Sequence, residues 1–164
     1  MWRRIRSFLS RPPGERRALV EALFLLGAGR VALLSAPFPV VARRYHLGSR
    51  DTAAEHRHDA ASQAHFVARM IASASRHTPW RSTCLVQALA ATRMLRRRHV
   101  ASTLYFGAAR DEAGAFRAHA WVRCEAHLVT GGREHERFEV VGVFGVSEAR
   151  GNQVASRSRS RSRA

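Results

Sequence analysis

The apolar pattern of this chain changes period once, near residue 100. Before that point hydrophobic residues recur at helical spacing, and after it they fall in short runs bounded by turn residues. Residues 18–42 are strongly apolar, with Pro37 and Pro39 expected to end the helical stretch. A second helix is expected over residues 53–75, with Ala64, Val67, Ala68, Ile71 and Ala72 on one face. A third is expected over 84–98, with Leu85, Ala88, Leu89, Thr92 and Leu95 on one face and Arg96 and Arg97 suiting the negative end of its dipole. Strand character follows at 102–109, 116–124, 128–130 and 138–146, with turns at 110–114 and at Gly131 and Gly132. Helices first and antiparallel strands after make an α+β arrangement.

At 164 residues the chain can bury one modest core. Three segments are expected: a basic N-terminal segment with apolar helices over 1–45, the main body over 46–147, and an Arg/Ser tail over 148–164 that cannot bury a core and is expected to be disordered. All 28 basic residues are arginine, which excludes a lysine Schiff base, a lysine general base and the lysine-bearing phosphate loop. A formal charge of +16 favours anionic partners but says nothing of the fold. The basic residues are not interleaved with aromatics and match no nucleic-acid motif, so no specific nucleic acid is expected and a basic nucleic-acid binder is the rival class.

The two cysteines, Cys84 and Cys124, stand in unrelated contexts and argue for a reducing cytosol, not a disulfide scaffold. The basic front followed by Leu23 to Leu26 imitates a signal peptide, but Glu21 and Arg30 interrupt the apolar stretch. No uninterrupted apolar run reaches the roughly 20 residues of a spanning helix. The stretch reads first as a buried or partner-binding helix, and second as an element in contact with a membrane surface. His46, His56, His58 and His65 lack a completing acidic or cysteine partner at metal-binding spacing, so no metal site and no cofactor are expected.

Chemistry is expected at Cys84. A cysteine in the first turn of a helix has its thiolate favoured by unpaired backbone amides and by the positive end of the dipole. His119 lies on the strand Ala118-His119-Ala120-Trp121-Val122, on the same face as Trp121. Cys and His are the minimum nucleophile and base for acyl transfer. Cys124, five residues past His119, faces the other way and reads as structural. Trp80 can pack or lend its indole N–H to an oxyanion, and packing is the preferred reading.

The segments Thr83-Cys84-Leu85-Val86-Gln87-Ala88-Leu89-Ala90, Leu104-Tyr105-Phe106-Gly107 and Phe116-Arg117-Ala118-His119-Ala120-Trp121-Val122 resemble the transglutaminase-like cysteine peptidases of lasso peptide biosynthesis. The resemblance covers most of residues 1–146. It implies a papain/transglutaminase-like core, with Cys84 as nucleophile at a helix N-terminus and His119 as base on an antiparallel sheet. It also implies an activity, removal of the leader from a ribosomally made precursor to free the core amine for macrolactam formation. The implied partners are the lasso precursor peptide, a separate leader-binding protein and an ATP-dependent lactam synthetase. The family's aspartate, about a dozen residues past the histidine, has no counterpart in Leu128 to Glu134. Glu134, Glu139 or a backbone carbonyl are the candidates to orient the imidazole. That gap keeps a catalytically silent scaffold open as an alternative.

Overall fold

The computed structural model describes residue 6 and residues 10–48 and 58–146. Helix α1 runs over Pro13–Ser35, α2 over Phe38–Arg44, α3 over Ala60–Ser75 and α4 over Cys84–Arg97. Strands β1 (Ser102–Arg110), β2 (Phe116–Cys124), β3 (His127–Thr130) and β4 (Glu139–Val146) form one antiparallel sheet in the order β3-β2-β1-β4, with a 3-10 turn at Arg133–Arg137 before β4.

The α+β expectation and the bounds of β2 match the structure. Several strand and helix ends differ by one residue, and three differences are larger. Pro37 breaks the helix but also precedes a new one, and Pro39 sits in the first turn of α2, where its missing N–H costs nothing. The described part of the second expected helix starts at Ala60, and His58 precedes it in a turn. The expected positions 53–57, including His56, and the Arg/Ser tail lie outside the described residues. The Gly131-Gly132 turn leads into a 3-10 segment and not directly into a strand.

Helix α4 is the centre of the molecule. It packs on α1, α3, β1, β2 and β3. Val86, Ala88, Leu89, Ala90, Ala91, Thr92, Met94 and Leu95 are all buried, so the helix is covered nearly all round and not on the single face expected. Its many alanines allow close approach from several sides. Burying a side chain such as Leu89 or Leu95 contributes about 1.5–3 kcal/mol. The far end is tied to α1 by Arg98, which donates from Nη2 to Glu21 Oε2 (2.9 Å) and from Nη1 to the Met94 carbonyl (2.9 Å).

Helix α1 shares this core through Ala18, Leu19, Ala22, Leu25, Leu26 and Gly29. By length and composition α1 is also long and apolar enough to cross a membrane, with 33% of its most apolar window buried inside the domain. On the other side Phe38 meets Phe106 and Phe144 edge-on, at 5.2 and 5.9 Å between ring centroids, fixing α2 to β1 and β4. The β1–β2 hairpin closes on Asp111, whose Oδ1 accepts from the Ala113 and Ala115 amides (3.1 and 2.9 Å), with Gly114 at φ +78°.

Candidate active site

Cys84 is the first residue of α4. Thr83 caps the helix, its hydroxyl accepting a long hydrogen bond from the Val86 amide (3.5 Å). The loop before it is cross-tied. Thr78 Oγ1 lies 2.9 Å from both the Trp80 carbonyl and Ser82 Oγ, and Gln87 Nε2 donates to the Ser82 carbonyl (2.8 Å). The Trp80 ring rests against α1 at Gly27, and its indole N–H is buried without a partner. Packing is thus what Trp80 does in this structure. Cys84 itself is a half-buried free thiol at the margin of the core.

His119 sits in the middle of β2, paired with Gly107 of β1. Ala120, Val122 and Cys124 belong to the helix-packed core, so alternation sends His119 and Trp121 to the other face of the sheet. There the imidazole is held between Trp121 (5.9 Å between centroids) and Phe138 (5.0 Å), both nearly parallel to it, and Trp121 stacks in turn on Tyr105 (5.7 Å). The third constraint is a hydrogen bond of 2.9 Å between His119 Nε2 and the carbonyl oxygen of Gly131. A carbonyl can only accept, so Nε2 carries the proton and Nδ1 keeps the lone pair of the neutral ring.

The orienting group is therefore main chain. Gly131 falls in the stretch where the resemblance places an aspartate. Glu134 is exposed and lines the same cleft as His119, and Glu139 is exposed at the start of β4; neither bonds the imidazole. Two glycines make this arrangement possible. Gly131 has φ +103°, and a side chain there would collide with Trp121. At Gly107 a Cβ would lie 2.6 Å from Phe138 Cβ and 2.7 Å from the Trp121 ring. Phe138, Gly107 and the Gly131 carbonyl were not legible as site features in the sequence; the Gly-Gly pair signalled only a turn.

The cleft beside His119, about 800 Å³, is bordered by Arg110, Arg117, Glu134, Arg137 and Phe138. Asp111 also lines it. The Ala115 amide first, and then the Arg117 guanidinium 3.1 Å away, hold its carboxyl below the usual carboxylate range. Helix α4 packs on the face of β2 that carries Ala120, Val122 and Cys124, whereas His119 lies on the opposite face and Cys84 is not among the residues that line its cleft, so the structure does not bring the two together. Among the described residues, no hydrogen bond joins Cys84 to His119. Cys124 is buried, and burial pushes its thiol up to about 11. His46, His58 and His65 are exposed, and His65 also meets the His127 ring edge-on at 4.8 Å. Among the described residues no three His, Cys, Asp or Glu side chains gather as a metal-binding group.

No curated protein and no solved structure matches the chain. A family model does, over residues 25–143, a span that includes α4, both Cys84 and His119, the Gly131 turn and three of the four strands in full. With a helix headed by cysteine packed on an antiparallel sheet that carries an oriented histidine, the chain belongs to the transglutaminase-like superfamily.

Proposed function

We propose that the protein is a cysteine peptidase that removes the leader from a lasso peptide precursor, with Cys84 as nucleophile and His119 as base and proton donor. The observation that carries this reading is the imidazole of His119. It is clamped between two rings, with Nε2 tied to the Gly131 carbonyl, so that the lone pair of Nδ1 is the nitrogen left to exchange a proton.

In this mechanism Nδ1 of His119 takes the proton of the Cys84 thiol, and the thiolate attacks the carbonyl carbon of the last leader residue, forming a C–S bond. The oxyanion is met by the Cys84 amide, one of the N–H groups that a helix start leaves without an intrahelical acceptor. Collapse of the intermediate breaks the C–N bond, and His119 delivers a proton to the departing amine, which becomes the N-terminus of the core. Water then attacks the thioester with His119 as base and releases the leader carboxylate.

The open cleft beside His119 has room and charge of both signs for an extended peptide. The leader-binding protein and the ATP-dependent lactam synthetase are separate partners in this reading. The placement of His119 on the sheet face away from α4 and Cys84 favours a second one, a silent scaffold for the same complex. One experiment separates them: incubation of the purified chain with precursor and leader-binding protein, followed by mass spectrometry. Free leader and free core, absent with Cys84→Ala, are expected. An inactive parent chain in the presence of both partners and the synthetase would leave the scaffold.

A further inference from the structure

Helix α1 is apolar on two opposite sides; the domain covers one and reaches the other at Gly27, where the Trp80 ring rests. Ala18, Leu19, Ala22, Leu25, Leu26 and Gly29 face the core. On the other side Val20, Phe24, Val31 and Leu34 follow one another at helical spacing and are 56–72% exposed. The charges around this stripe have one sign. Arg17 is exposed one turn before Val20, next to the half-buried Arg16, and among the described residues neither makes an ion pair.

Both carboxylates of α1 are turned to other duties. Glu15 pairs with Arg11 and Arg69 (3.3 Å each), and Glu21 pairs with Arg97 and Arg98 (3.4 and 2.9 Å). The outer face is left with apolar and cationic groups alone. The pattern recurs on α2, where the exposed Val40 is followed one turn on by exposed Arg43 and Arg44.

From this we infer that the outer face of α1 docks on an anionic lipid surface. Val20, Phe24, Val31 and Leu34 enter the boundary between headgroups and acyl chains, and Arg16 and Arg17 reach the lipid phosphates and carboxylates. Charge selects this occupant. A second copy would bring another +16 against the same face, whereas an anionic bilayer complements it. The helix lies on the surface and does not cross it, because its inner face is part of the core and crossing would pull that face out. The inference stands apart from the peptidase reading.

The test uses the full chain with vesicles of phosphatidylcholine, alone or mixed with phosphatidylserine. Cosedimentation with the mixed vesicles is expected, and a Phe24→Trp variant should show a blue-shifted emission when they are added. The double substitution Phe24→Gln and Leu34→Gln leaves every charge in place, including the Arg/Ser tail. It should weaken binding on the order of 10-fold or more, with the thermal melt unchanged because both positions are exposed. Equal binding by the double variant would overturn the proposal, since charge alone would then hold the protein. A parent dimer that the double variant turns into a monomer would give the face to a second copy. Resistance of the bound parent to alkaline carbonate extraction would mean that the helix spans the bilayer.

Discussion

Cys84 and Cys124 are the same side chain in two regions that permit different chemistry. Cys84 opens α4, half-buried, on a loop held by Thr78, Ser82 and Gln87. Cys124 closes β2 inside the core, and burial raises its thiol to about 11. At the head of a helix the backbone leaves amides free to meet negative charge, whereas at the core end of a strand nothing rewards ionisation. Residue type therefore says little here, and the position within the element decides which thiol can act.

The largest effect that can break this contrast is on precursor cleavage. Cys84→Ala should abolish it and Cys124→Ala should retain most of it, as read by mass spectrometry of released leader; equal losses would mean the wrong thiol was chosen. His119→Ala should lower kcat/KM on the order of 100-fold or more. An active His119→Ala would remove the imidazole from the mechanism. Next in size is Gly131→Ala, which strains a residue at φ +103° and drives a methyl into Trp121. A loss of about 1–3 kcal/mol in denaturant-determined stability is expected, with a fall in activity at temperatures where the variant is still folded.

Cys124 also gives the fold a pH response. A group whose folded value is raised lends stability that is complete below its unfolded value, near 8.5 for a thiol, and is lost as pH climbs through about 11. Stability should decline over that window, and Cys124→Ala should flatten the decline in melts run across it. Iodoacetamide near neutral pH should label Cys84 in the native protein and Cys124 only after unfolding. The smallest effect is expected from Glu134→Gln. With Nε2 bonded to the Gly131 carbonyl, this variant should match the parent in kcat, and a clear loss would return the orienting role to the carboxylate.

Much of this architecture was legible along the chain. Alternation put His119 with Trp121 and Cys124 opposite them, and the apolar spacing from Leu85 to Leu95 marked α4. Other features left no such signal. The alanines of α4 are compatible with burial on any side, so periodicity recovered one face where the fold covers nearly all of them. Pro37 and Pro39 read as a stop, although proline in a first turn also favours a new helix. Phe138 read as the start of a strand, and only the fold lays its ring on His119. The orienting acceptor was hardest to see, because every residue has a carbonyl and only φ +103° at Gly131 aims this one.

That last contact has a consequence for how such a site withstands change. An acceptor supplied by the main chain cannot be deleted by replacing a side chain, and it brings no formal charge and no ionisation of its own. Alanine scanning of 128–139 would disturb it only by moving the chain, so an inventory of essential side chains would end at two members. The rest of the apparatus would show up only as intolerance to bulk at Gly107 and Gly131, and a survey of reactive side chains would misread that as mere packing.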